Sequence, residues 1–403
     1  MEQPMEWRQA RDLLLERIVP VEPEYLPLSQ ATGRFLAQRC VAQWAMPPFD
    51  RSPYDGYAFQ SRDTGEGLPI TLRVLEEIPA GAVPTRTVVP GTAVKVLTGA
   101  PIPPGADAVT KFEETRFTTD TVTLLRRYGP GENIVRRGED LQAGDLLAVP
   151  GQRLDAGLAG ALWAQGIGKV SVYRRPRVGL VTTGSELQET GEPGQNGRIP
   201  NSNRPAFEVA LRLAGAEPVY FGAPGDDCDT IASVLSAAWR ETDLVIVTGG
   251  VSVGDYDLTP AALKRAGGEI AVQNLRVKPG GKCCFGWQGE KLACCLSGNP
   301  ASAMTCFYAV VLPLLRKLSG DVDGRQPELT VPLGADYSKA SPQTRLLRGK
   351  LTIENGGLVF MPAPSQSNGA LHTLTGANAL AEIPGGSPPL VAGTPLQVCY
   401  IGM

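Results

Sequence analysis

Between Val178 and Thr248 the apolar positions alternate between two periods. Val178–Thr182, Val219–Gly222 and Leu244–Thr248 are short apolar runs that predict buried strands. Between the last two, Ile231, Val234, Leu235, Ala238 and Trp239 recur at helical spacing, which predicts an amphipathic helix from Thr230 to Glu241. A second helix is expected from Arg204 to Ala214, with Asn203 as its cap, Pro205 in its first turn and Gly215 at its end. Strands alternating with helices in this way imply a mostly parallel, doubly wound sheet covered by helices. Further along, a short helix capped by Thr259 runs from Pro260 to Ala266, a strand from Leu292 to Leu296 and a long helix from Pro300 to Leu318.

The pattern differs on either side of this region. An amphipathic helix is expected from Met5 to Ile18, because Trp7, Ala10, Leu14 and Ile18 share a face. From Pro47 to Gly138 the chain breaks into short β-prone runs, such as Ala93–Leu97 and Thr121–Leu125. Asp155 is a cap for a helix ending near Gly166. After the linker GDVDGRQP, the segment Leu346–Phe360 reads as two strands joined at Asn355, Gly356 and Gly357. The expected organisation is therefore multidomain, α/β plus β. Residues 1–46 and 139–174 form an N-terminal helix and mixed linker domain, 47–138 a small β domain, 175–320 the α/β domain and 327–403 a C-terminal β domain.

Composition changes this picture little. Hydrophobic content of 42% and charged content of 20% suit a folded chain. A net charge of -3 argues against a nucleic-acid footprint, so any anion must be gripped locally. The N-terminus has no basic run followed by an apolar core, and no apolar stretch approaches the ~20 residues of a membrane span. A soluble cytoplasmic protein is expected. The pairs Cys283, Cys284 and Cys294, Cys295 place adjacent thiols on opposite faces of a strand, which suits buried packing rather than zinc.

Ligands of open α/β sheets bind at the carboxyl ends of the strands, which directs attention to the loops there. TTGSE supplies Gly184 and Glu186, and APGDD supplies Asp226 and Asp227. GGVSVGDYD supplies Gly249, Gly250, Ser252, Gly254, Asp255 and Asp257, and SGNP supplies Gly298 and Pro300 before a helix. Such turns offer backbone N–H groups to phosphate, while the carboxylates at the same rim call for a bridging cation. Hard oxygen donors without histidine favour Mg²⁺. Lys278, with Arg276 and Lys282, adds positive charge for an oxyanion. Structural readings stand beside these: the Gly-rich loops as tight turns, Asp255 and Asp257 as helix caps, and Asp55–Tyr57 as an Asp-Gly hairpin turn. Arg136 and Arg137 read as a solvated face and His372, the single histidine, as packing. One histidine leaves a Ser-His-Asp triad without support, and no GxGxxG opens a helix after a strand.

Seven segments occur in fixed order: PPFDRSPYDGYA, VLTGAPIPPGADAV, GENIVRRGEDLQAGD, VTTGSEL, GGVSVGDYD, VKPGG and SGNPASA. Together they resemble the molybdopterin molybdenumtransferase family, which includes MoeA and the E domain of gephyrin. The match is strongest between Pro47 and Leu318. The resemblance implies an α/β domain of the molybdopterin-binding type and insertion of molybdate into adenylated molybdopterin with Mg²⁺ and release of AMP. It also implies elongated homodimers whose cleft lies between subunits. Molybdopterin adenylyltransferase and molybdoenzyme maturation factors are implied partners, with no nucleic acid or membrane. By motif position, Asp55, Thr98 and Asp140 serve the cleft from the smaller domains. Glu186, Asp226 and Asp257 form the acidic metal set, Ser252 and Lys278 hold molybdate with Arg348, and Pro300 shapes the SGNP turn. Gly184, Gly249, Gly250, Gly254 and Gly298 belong to the binding loops. The sequence departs from the family at Ser297, at Asn274 where a cation is usual, and at Gly281, where the usual lysine is displaced to Lys282.

Overall fold

The computed structural model describes residues 3–65, 67–189, 194, 197–251 and 258–402. These fall into two compact units: residues 1–38, 150–154 and 169–403 form one, and 39–149 with 155–168 the other. Residues 1–46 and 139–174, expected to form one linker domain, are thus shared between the two.

The smaller unit is built on a six-stranded sheet, in the order Ala108–Lys111, Gly56–Phe59, Thr92–Val96, Ile70–Ile78, Thr121–Leu124 and Thr115–Phe117. Alternation along its second strand fills two cores. Tyr57 and Phe59 pack with Leu72 and Val122, while Ala58 packs on the other face with Ile78, Val94 and Val109. Asp55 and Gly56 therefore do not make a hairpin turn; Gly56 begins a strand paired to both neighbours. A helix Ala156–Ala164 also belongs here, its first turn closed by Asp155, which accepts from the Leu158 N–H at 2.8 Å.

The larger unit carries the α/β sheet. Its order is Glu217–Tyr220, Arg177–Thr182, Leu244–Thr248, Lys291–Leu296, Cys284–Gln288, Glu269–Gln273. The first four strands are parallel and the last two antiparallel, an edge hairpin absent from the sequence reading. Leu244–Thr248 is buried throughout because helices cover both faces. Leu244 and Ile246 join one core, Val245 and Val247 the other. Each such side chain stabilises the fold by about 1.5–3 kcal/mol relative to exposure. The same alternation sends Cys283 and Cys294 to one core and Cys284 and Cys295 to the other, as expected for adjacent residues on a strand.

The helices follow the expected registers with different caps. Cys228–Glu241 starts at Asp227, which accepts from the Thr230 N–H at 2.8 Å. The N-cap residues of Asn203–Leu213 and Thr259–Arg265, Ser202 and Leu258, make no capping hydrogen bond, and the expected capping residues Asn203 and Thr259 turn elsewhere. Pro300–Leu318 is one 19-residue helix, long and apolar enough by composition to cross a membrane, yet 83% buried within the protein. It is a core helix, and the sequence reading understated its apolar length. A π turn at Phe307–Val311 precedes Pro313, whose missing N–H cannot continue the α-helical ladder.

The C-terminal region is a five-stranded antiparallel sheet, in the order Glu328–Pro332, Pro395–Tyr400, Ala379–Ile383, Arg345–Glu354, Gly357–Pro362. The last two strands are joined as expected at Asn355 and Gly356, both with positive φ. Leu346, Leu380 and Ile401 belong to the same core as Trp7, Leu180 and Phe307, so one face of this sheet packs on the α/β layer, while Leu347, Phe360, Ala381 and Val398 on the other face form a core of their own.

Candidate functional site

The chain leaves Arg177–Thr182 toward one neighbour, Glu217–Tyr220, and later enters Leu244–Thr248 on the other side. Connections diverge there, which opens a crevice beyond the strand ends. A cleft of about 710 Å³ occupies that position. Its walls include Thr183 and Glu186 after the first strand, Gly250 and Val251 after the third, Ser297–Pro300 at the head of the long helix, and the loop Asn274–Lys282.

Tight packing dictates the glycines. Gly249 has φ +109°, and a Cβ there would lie 2.4 Å from Thr183 Oγ1 and 2.5 Å from the Thr183 carbonyl oxygen. Its N–H donates to the Leu296 carbonyl at 2.9 Å, locking the loop to the neighbouring strand end. Thr259, freed from capping, donates its hydroxyl to the Gly249 carbonyl at 2.9 Å. Gly281 is equally constrained: a Cβ would sit 2.3 Å from the Val277 carbonyl oxygen. A lysine cannot occupy that position in this loop conformation, so the displaced cation is Lys282, which lines the cleft. Asn274, another departure, has φ +62°, a conformation asparagine tolerates better than lysine or arginine.

Of the residues expected at the site, Glu186, Gly250, Lys278, Gly298 and Pro300 line the cleft. Lys278 is exposed, and its backbone is fixed on both sides, its N–H to the Thr344 carbonyl at 2.9 Å and its carbonyl from the Leu346 N–H at 3.0 Å. Gly184 and Asp226 do not line the cleft. The Asp226 carboxylate accepts from the Ser185 N–H at 3.1 Å, and the Asp226 N–H donates to Ser185 Oγ at 3.2 Å, coupling the two loops. Arg276 is turned away to the N-terminal segment, where it meets Glu6 at 3.5 Å and the Pro4 carbonyl at 3.3 Å. Arg348 is fully buried and does not line the cleft. It donates to the Ser367 carbonyl at 3.0 Å and the Ser365 carbonyl at 3.4 Å, and burial pushes its pKa down. Its place is beneath the loop that presents Asn368. Ser252, Gly254, Asp255 and Asp257 lie outside the described residues.

Asp55, Thr98 and Asp140 belong to the smaller unit. There Asp55 accepts from both the N–H and the hydroxyl of Thr98, at 2.6 and 2.8 Å. The Thr98 N–H, then the Thr98 hydroxyl, hold its carboxyl below the ordinary range. Asp140 is exposed, with its N–H on the Met46 carbonyl at 3.0 Å. Arg136 is exposed as expected and pairs with Asp50 at 2.7 Å.

The sequence reading missed the amide side chains of the cleft: Asn201, Asn203, Gln343 and Asn368. The NSN triplet before a helix was legible only as a cap. Gln343 and Asn368 arrive from the C-terminal sheet's loops, with no motif to announce them. Behind Asn201, Glu189 accepts from Asn201 Nδ2 at 2.9 Å, Tyr220 OH at 2.7 Å and Arg204 Nη1 at 2.7 Å. Burial raises the Glu189 pKa, but these three donors outweigh it and hold the carboxyl below its usual value. Tyr220, partly buried beside this carboxylate, is pushed up to about 12.

Three family models match in succession: MoeA N-terminal region (domain I and II) over residues 5–166, probable molybdopterin binding domain over 179–317, and MoeA C-terminal region (domain IV) over 330–400. A protein of Staphylococcus epidermidis named molybdopterin molybdenumtransferase is 34% identical over 98% of this chain and 95% of its own. The chain belongs to the molybdopterin molybdenumtransferase family. A Bacillus subtilis molybdopterin molybdenumtransferase is also 34% identical, over 94% of this chain and 90% of its own. The molybdopterin biosynthesis MoeA protein of Pyrococcus horikoshii matches in structure with a TM-score of 0.85 and 32% identity, over 99% of this chain and 100% of its own. The multidomain α/β plus β architecture is thus that of a molybdopterin molybdenumtransferase, a transferase family of molybdenum cofactor biosynthesis.

Proposed function

We propose that this chain inserts molybdate into adenylated molybdopterin, with Mg²⁺ and release of AMP. The observation that carries the reading is the cleft itself, which Lys278, Lys282 and the head of a 19-residue helix line together with Glu186. Lysines and a helix N-terminus bind anions, and a carboxylate at the same rim suits a cation shared with phosphate oxygens. Glu186 and Asp226 are hard oxygen donors on coupled loops, so they fit Mg²⁺; they would hold it together with Asp257. Bound there, the ion supplies neutralisation of pyrophosphate charge. Lys278, fixed by its backbone, holds the incoming oxyanion, with Ser252 as a second contact. Arg348 acts from beneath, through the loop at Ser367. The functional unit is a cytoplasmic homodimer.

The test is AMP release from adenylated molybdopterin on addition of molybdate and Mg²⁺, with the mass of the active species measured by light scattering. Glu186→Gln should lower the rate at least about tenfold at saturating substrate and raise the Mg²⁺ requirement. Absence of AMP release by the wild-type protein would sink the reading.

A further inference from the structure

Asn203 opens the helix Asn203–Leu213, yet its side chain does not cap it. It is 8% exposed and lines the cleft. Its amide nitrogen donates to the Gly298 carbonyl at 2.9 Å. That contact fixes the orientation of the carboxamide, because a carbonyl oxygen only accepts and the reverse orientation would oppose two acceptors. The oxygen, Oδ1, is buried and has no partner among the described residues. A buried, unpaired amide oxygen is costly, and Asn201, two residues away, shows the ordinary alternative. Its carboxamide is used at both ends, by Thr182, Glu189 and Tyr220 on the nitrogen and by the Arg204 N–H on the oxygen. Among the described residues, Asn203 is the one cleft-lining side chain with a buried polar atom left unpaired.

We infer that Asn203 is a specificity residue of the cleft, its Oδ1 receiving a hydrogen bond from an N–H group on the substrate's nitrogen heterocycle. The chemistry excludes the anionic parts of the ligand: phosphate and molybdate oxygens are acceptors and would be repelled by an amide oxygen. An exocyclic amine is the matching group. In the proposed substrate such donors sit on both the adenine and the pterin, so the inference rests on the proposed function and names their shared chemistry. Since the same carboxamide holds the Gly298 carbonyl, heterocycle binding is tied to the turn that starts the long helix.

Four probes separate the sources. AMP is compared with purine riboside monophosphate, which lacks the adenine amine, and pterin with lumazine, which carries a carbonyl in place of the pterin amine. Binding is measured by calorimetry on the full chain. Wild type should prefer the amine-bearing member of one pair by about tenfold, the effect of one hydrogen bond to a buried acceptor. The pair concerned identifies the ring. In Asn203→Ala the preference should fall to about unity. A ratio taken within one variant cancels general loosening of the cleft. Less than twofold preference for both pairs in wild type overturns the inference without any variant. Undiminished preference in Asn203→Ala also overturns it, as does a changed Mg²⁺ dependence with the preference intact, which would put a metal-bound water at this atom. Binding of none of the probes by wild type overturns the proposed function as well.

Discussion

Single residues in this protein are constrained chiefly by backbone approach. Gly249 is the clearest case, since both its positive φ and the Thr183 backbone forbid a side chain. Thr183 belongs to the adjacent loop and its N–H is held by the Thr248 carbonyl at 2.8 Å, so its backbone cannot retreat cheaply. Strain of this type costs about 1–3 kcal/mol before any overlap is counted. Gly249→Ala should therefore lower stability by at least about 2 kcal/mol in urea unfolding. It should also weaken the proposed AMP binding, because the Gly249–Gly250 turn would have to move. An unchanged unfolding midpoint would show that the loop relaxes freely. Asn203 teaches the converse lesson. The sequence marks it as a cap, and only the position of the Gly298 carbonyl diverts it to the cleft.

At the scale of elements, the wall beside the cleft is held by the Glu189 carboxylate and its three donors. Glu189 has a folded pKa below its ordinary value of 4.5. Its contribution is therefore present above that value and lost as pH falls through the folded one. Glu189→Gln should be less stable than wild type near neutral pH, and the gap should close progressively below about pH 4.5. Unfolding midpoints compared across pH check this; a gap that stays constant would assign the network no ionised carboxylate. Strands and helices of this layer were legible from the sequence because both periods are strong there. Leu244–Thr248 and Cys228–Glu241 appear as expected, within two residues of the predicted bounds. The edge hairpin Glu269–Gln273 and Cys284–Gln288 was not, since its strands carry Gly286 and a register shift that blur alternation. The Gly-rich loops were legible for the same reason that they bind: close backbone approach demands glycine. The amides from the C-terminal sheet were not, because long-range contacts leave no local pattern.

For the whole molecule, the distribution of cores decides how it comes apart. One face of the C-terminal sheet joins the core of the first helix and the α/β layer while its other face has a core of its own, and the smaller unit is built on two further cores. Calorimetry should resolve two thermal transitions, with residues 327–403 melting together with the α/β sheet. A third transition belonging to the C-terminal sheet alone would contradict the shared core. Within that α/β sheet, Cys283, Cys284, Cys294 and Cys295 are buried on its two faces, and burial pushes each thiol upward, Cys284 to about 12. At neutral pH these sulfurs remain protonated and walled off from solvent. In a family named for moving molybdenum, this chain thus has a sheet whose own sulfur is chemically silent: neither a rival ligand for the metal nor an easy target for oxidants.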